Sequence, residues 1–192
     1  MTAEDTIADI RRTVETLRGG GIILYPTDTI WGIGCDARNE DAVKRIYDLK
    51  QRSDAKALIC LVDSIAMLER TVGEIPDAAE QLIEVAVEPL TIVYDHGIGV
   101  APNLLAEDGS LGVRLTHARF PASLCRGLRA PVVSTSANIS GRPAPADFSS
   151  IDPQLLKAVD YVCLTGRSDP PAARASTVIK VSRGGLFKIL RK

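Results

Sequence analysis

The chain of 192 residues is 45% hydrophobic and carries a formal net charge of −1. This length and apolar content support one domain, expected over residues 1–192, and no apolar run approaches the roughly 20 residues of a membrane span. Near-neutral charge argues against nonspecific nucleic-acid binding through a global field, while leaving room for a local basic groove.

Ile7, Ile10, Val14 and Leu17 recur at helical spacing, which predicts an amphipathic scaffold helix over residues 4–18. Gly19, Gly20 and Gly21 stop it and free the chain to turn. Residues 22–25 form a short apolar run suited to a buried strand, ended by Pro26, which has no N–H for a ladder. A polar loop with Thr27, Asp28, Thr29, Gly32 and Gly34 follows. A helix is expected to begin near Asn39, with Val43, Ile46 and Leu49 on one face. Further on, strands are predicted over 57–62, 90–94, 111–115 and 131–134, two helical pieces over 64–86 broken near Pro76, a loop over 96–109, and a short helix over 121–129. The remainder reads as a rigid Pro-rich loop from Arg142, a short helix over 152–158, and strands over 161–164 and 177–181. After Gly184 and Gly185 a last strand over 186–190 is expected to fold back as a hairpin. The polar stretch 165–175, rich in Gly, Pro and Arg, reads as a mobile segment able to fold over a site. Strands and helices alternate, though not strictly, so the expected class is α/β: a single domain with a twisted, mixed sheet and flanking helices.

The acidic, polar start Met-Thr-Ala-Glu-Asp does not read as a signal peptide. Four cysteines, at 35, 60, 125 and 163, include no Cys-x-x-Cys pair and stand beside only two histidines, His96 and His117, so no metal-ligating residues are assigned. Cys60, Cys125 and Cys163 lie in apolar runs and read as packed thiols, which fits a cytoplasmic location.

Three stretches carry chemistry. Lys50, Arg52 and Lys56 follow the helix that begins near Asn39. They read either as cations favouring the negative end of that helix or as a cradle for an anion, since α/β proteins hold ligands at strand ends. Ser134-Thr-Ser-Ala-Asn-Ile-Ser-Gly141 reads either as a turn cap or as a set of hydroxyls, an amide and backbone N–H groups that bind phosphate oxygens without a formal charge. There is no Walker A pattern. Arg114 stands between Val113 and Leu115, and alternation alone places it on the solvent face of its strand, the alternative being a site.

Tyr25-Pro-Thr-Asp-Thr-Ile-Trp-Gly-Ile-Gly34, Lys50-Gln-Arg52-x-x-x-Lys56, the Ser134–Gly141 stretch and Ser176-Thr-Val together resemble the signatures of the YrdC-like family, the threonylcarbamoyl-adenylate synthases, over about residues 15–191. The resemblance implies the YrdC-type α/β fold with a concave, cation-lined site, in the short single-domain form. It implies condensation of L-threonine, bicarbonate and ATP to threonylcarbamoyl-AMP and pyrophosphate. That product feeds the t6A modification at position 37 of tRNA through a separate transferase complex. One departure stands out: Val87-Glu88-Pro89 replaces the Pro-Gly-Pro common before the matching Thr91.

Roles follow from the resemblance position by position. Lys50 and Arg52 would be catalytic, clamping triphosphate and carbamate together with Lys56. Thr29, Arg114 and Ser176 would bind threonine, with Arg114 on its carboxylate. Thr91, Thr135, Ser136, Asn138, Ser140 and Arg191, with Arg52 and Lys56, would line the nucleotide site. Trp31 would pack beneath the pocket, and Cys35 has no role. Mg2+ is expected to accompany ATP through phosphates and water. A non-catalytic RNA-binding module, contacting tRNA or double-stranded RNA, and a paralogue acting on another carbamoyl acceptor stay open as alternatives.

Overall fold

The computed structural model describes residues 2–51, 58–170 and 175–191. The first helix, α1 (Ala3–Arg18), starts with a capping box in which Thr2 and Asp5 exchange side-chain and backbone hydrogen bonds. Val14 and Leu17 enter the core and Ile10 packs against it, but Ile7 is half-exposed, so the expected apolar stripe loses its first member. Its buried face instead includes Asp9 and Thr13. Asp9 accepts hydrogen bonds from the Tyr161 hydroxyl (2.6 Å), the Thr165 N–H (2.8 Å) and hydroxyl (2.6 Å), and the Leu164 N–H. Burial alone would raise the Asp9 pKa; the Thr165, Tyr161 and Leu164 donors outweigh it and hold the carboxyl below its usual range.

Two short strands follow, β1 (Ile23–Tyr25) and β2 (Gly32–Gly34), paired antiparallel. The second corrects the expectation of a loop there. With one apolar residue in three, β2 has no readable alternation, and its glycines answer to packing. A Cβ on Gly34 would overlap the Val133 carbonyl oxygen and crowd the Tyr25 ring at 2.7 Å. Between the two strands, the Thr27–Thr29 stretch is thrown out as a tight polar loop, tied by Thr27 Oγ1 to the Ile30 carbonyl at 2.7 Å.

The remaining elements are α2 (Glu40–Leu49), β3 (Ile59–Val62), α3 (Ile65–Val72), α4 (Asp77–Val85), β4 (Leu90–Tyr94), β5 (Leu111–Leu115), α5 (Arg119–Leu128), β6 (Val132–Ser136), α6 (Pro153–Ala158), β7 (Tyr161–Val162), β8 (Thr177–Val181) and β9 (Phe187–Arg191). Helix α2 begins near Asn39 as expected; the Asn39 side chain caps it by accepting from the Ala42 N–H, and Val43 and Ile46 are fully buried. Strand β6 runs two residues further than predicted, taking in Thr135 and Ser136; β7 is shorter than predicted.

The nine strands form one mixed sheet in the order β7-β1-β2-β6-β3-β5-β4-β8-β9. Three pairs are parallel (β1–β7, β3–β5, β4–β8) and the other five are antiparallel. Gly185, at φ +77°, closes the hairpin between β8 and β9. The register sets one transverse row: Ile59 faces Ser134 on one side and Gly112 on the other, Gly112 faces Val93, and Val93 faces Lys180. Arg114 and Thr91 lie two residues from that row on their own strands, and therefore share its face. Among the described residues no helix is long and apolar enough to cross a membrane.

Candidate active site

That face is the floor of a cavity of about 690 Å3. Thr29, Thr91, Arg114, Thr135, Ser136, Ser176 and Arg191, seven of the expected site residues, line it. Trp31 lines it too, packed against Phe148 with ring centroids 5.0 Å apart. Lys50, Asn138 and Ser140 form a separate cluster next to Ser136. Arg52 and Lys56 lie outside the described residues, as does 171–174 of the segment expected to cover a site.

The threonine-binding expectation converges on Arg114. Its side chain is 3% exposed, so the solvent-face reading from alternation is corrected: the polar face of β5 looks into the cavity. The guanidinium contacts Asp28 at 2.9 Å and donates to Thr29 Oγ1 at 3.3 Å. Burial pulls the Arg114 pKa down, and Asp28 opposes that shift; a guanidinium nonetheless stays charged. Its Nε is buried without a hydrogen-bond partner. A buried, charged fork with unused donors is complementary to a carboxylate.

On the other wall, Arg191 at the end of β9 donates from Nε (3.2 Å) and Nη2 (2.9 Å) to the Ser176 carbonyl. The Ser176 hydroxyl meets Thr91 Oγ1 at 2.8 Å. Thr91 has no exposed surface, and its hydroxyl is engaged with Ser176. Val87 and Glu88, the departure from the expected Pro-Gly-Pro, are solvent-exposed, and Pro89 remains tied to β8 through the Thr177 N–H.

Lys50 sits at the C-cap of α2, 1% exposed. Its ammonium donates to the carbonyls of Ser136 (2.6 Å) and Asn138 (2.8 Å) and to Asn138 Oδ1 (3.3 Å). The Ser136 hydroxyl donates to that same Oδ1, and Asn138 Nδ2 reaches the Arg142 carbonyl at 2.5 Å. Ser140 leaves its hydroxyl buried and unpartnered. Lys50 thus holds the turn after β6 in shape, with Ser134, Thr135 and Ser136 presented to the cavity.

Several lining residues were not anticipated. Lys180 on β8 pairs with Asp108 at 2.9 Å, and both line the cavity with Glu107. Hydrogen bonds from Ser110 and Lys180 hold the Asp108 carboxyl well below its usual range. The two partners are 72 residues apart, and nothing local in the sequence joins them. Gly112 leaves open floor between Ile59 and Val93. Among the described residues no group of three or more His, Cys, Asp or Glu is placed to hold a metal ion.

The family model for Sua5, YciO and YrdC proteins, described as "Telomere recombination", matches residues 15–192. The chain belongs to the Sua5/YciO/YrdC family. Its similarity to proteins named threonylcarbamoyl-AMP synthase runs at 37% identity over 152 residues for the Stenotrophomonas maltophilia protein, covering 78% of this chain and 82% of that one. For the Xanthomonas euvesicatoria protein it is 34% over 190 residues, covering 97% and 98%. A solved structure of P. abyssi Sua5 in complex with L-threonine superposes with a TM-score of 0.76 at 29% identity, over 90% of this chain and 50% of that one. E. coli YciO superposes at 0.80 and 25%, over 95% and 88%. The chain thus spans about half the length of P. abyssi Sua5 and most of YciO. This Sua5/YciO/YrdC chain has the mixed α/β sheet of both, as expected from its sequence.

Proposed function

We propose that this chain is a threonylcarbamoyl-AMP synthase: L-threonine, bicarbonate and ATP give threonylcarbamoyl-AMP, pyrophosphate and water. The observation that carries the reading is one cavity holding both a buried carboxylate receptor, Arg114 with Thr29, and the hydroxyl-rich end of β6, Ser134 to Ser136. The name of the curated relatives and the threonine in the P. abyssi Sua5 structure support it.

In this reading Arg114 pairs with the threonine carboxylate, and Thr29 and Ser176 surround the rest of the amino acid. The amine and bicarbonate form a carbamate with loss of water. A carbamate oxygen then attacks the α-phosphorus of ATP; the bond to the bridging oxygen breaks and pyrophosphate leaves with its electron pair. No enzyme nucleophile is required, so the protein's work is alignment and stabilisation of charge. Thr135, Ser136 and Arg191 face the nucleotide, with Arg52 and Lys56 assigned to the phosphates by resemblance. Asn138 and Ser140 complete the turn beside them. Lys50 acts through that turn, holding the Ser136 and Asn138 carbonyls. Magnesium enters with ATP as part of the substrate, held by phosphates and water rather than by a cage of side chains. The product would pass to the transferase that modifies tRNA. Four free, buried thiols support a reducing, cytoplasmic setting.

Pyrophosphate release from ATP, measured with threonine and bicarbonate each omitted in turn, tests the assignment. The reading expects release only when both are present, with serine and glycine substituting poorly. Binding of ATP without threonine-dependent release would instead favour a paralogue with another acceptor.

A further inference from the structure

Thr27 and Thr29 line the cavity, whereas Asp28 between them does not; its carboxylate contacts Arg114 and is 17% exposed. A guanidinium buried to 3% exposure needs a counter-charge, because a lone buried cation is strongly disfavoured. Among the described residues, the Asp28 carboxylate is the charge that favours the Arg114 cation, and the Arg191 cation opposes it. The contact is an ion pair at 2.9 Å, yet Asp28 Oδ1 meets no donor with hydrogen-bond geometry, and Arg114 Nε meets no acceptor. The fork is thus anchored at Nη2 by charge and at Nη1 by Thr29, with Nε–H left unused.

We infer that Asp28 is a positioning residue for the amino acid substrate: it fixes Arg114, so that the fork meets the substrate carboxylate already aimed. This inference rests on the synthase reading above. Asp28 touches neither threonine nor nucleotide; it acts through Arg114 alone. Loss of its charge frees the guanidinium to turn within the cavity, and a displacement of about 1 Å at such a group costs up to about a hundredfold in rate. The nucleotide side of the cavity does not depend on it, so the effect falls on one substrate.

The test is a set of steady-state measurements on Asp28→Ala and Asp28→Asn, with threonine and ATP varied separately. Asp28→Ala is expected to raise the KM for threonine by about tenfold or more while leaving the KM for ATP within about twofold. Asp28→Asn keeps an oxygen beside Nη2 and is expected to recover part of that loss. In an Arg114→Ala background, Asp28→Ala is expected to add nothing further, because its route is already cut. Should Asp28→Ala fail to fold, the isosteric Asp28→Asn carries the same comparison. Equal losses for both substrates, an unchanged threonine KM in folded protein, or additive losses in the double variant would overturn the role of Asp28 alone. A wild-type chain that neither binds nor turns over threonine would overturn the synthase reading, and this role with it.

Discussion

Replacing Arg114 by Lys removes the fork while keeping the positive charge. In the wild type the guanidinium spans Asp28 at 2.9 Å and Thr29 at 3.3 Å and still presents an unpaired Nε. A lysine ammonium is a point donor on a flexible stem, so it can satisfy Asp28 or the substrate carboxylate, but not in the same planar arrangement. Losing a two-pronged, charge-assisted contact in a buried site is worth about 2–4 kcal/mol, or about 30- to 900-fold in kcat/KM for threonine. Stability should fall much less, by about 1 kcal/mol, because the charge opposite Asp28 survives and Asp28 keeps partial access to water. The assay is pyrophosphate release at saturating ATP with threonine varied, alongside urea unfolding. A folded Arg114→Lys enzyme with kcat/KM for threonine within threefold of wild type would refute the reasoning.

Three further outcomes follow from the same geometry. Lys50→Met deprives the Ser136 and Asn138 carbonyls of their shared donor, which should cost about 2–4 kcal/mol in urea unfolding and raise the KM for ATP more than that for threonine; unchanged stability would contradict the positioning role. Asp9→Asn should destabilise by about 2–3 kcal/mol near neutral pH. Because the folded Asp9 pKa is lowered, its contribution is present above the unfolded value of about 3.9 and is lost as pH falls through the folded one. The wild-type stability curve should therefore fall more steeply than the variant's below about pH 4, as acid-dependent melting would record. Cys35, Cys60, Cys125 and Cys163 should not react with a thiol reagent in the native protein and should react fully on denaturation. All four are buried, and burial pushes the Cys125 thiol up to about 12.

Three five-residue strands rich in β-branched and apolar residues could be read to the residue: β4, β5 and β8 lie over the expected positions. The misreadings share one physical origin, which is that a polar residue does not say from its neighbours in sequence what it faces in space. Arg114 looked solvated because its neighbours Val113 and Leu115 are apolar. The face of β5 that carries Arg114 in fact lines the cavity, together with Thr27 and Thr29. Asp9 sits on the buried side of α1 because four donors from β7 and the chain just after it, more than 150 residues away, satisfy it; no local pattern carries that information. Lys50 reads as a cation at the helix end or in an anion cradle, and the carbonyls that receive its ammonium, from the turn after β6, could not be read from its neighbours. The stretches that resemble the family's signatures were legible as short polar runs at strand ends, Thr27–Thr29 after β1 and Thr135–Ser140 at the end of β6. The pairing of Lys180 with Asp108 joins two unremarkable positions, and only the register of β8 beside β4 brings it to the cavity.

The most direct test of the central assignment is to identify the product. Incubation of the purified chain with ATP, isotopically labelled threonine and isotopically labelled bicarbonate, followed by mass analysis, should yield one AMP-linked species carrying both labels, formed in step with pyrophosphate. An AMP adduct labelled from threonine but not from bicarbonate, or ATP turnover indifferent to both, would contradict it.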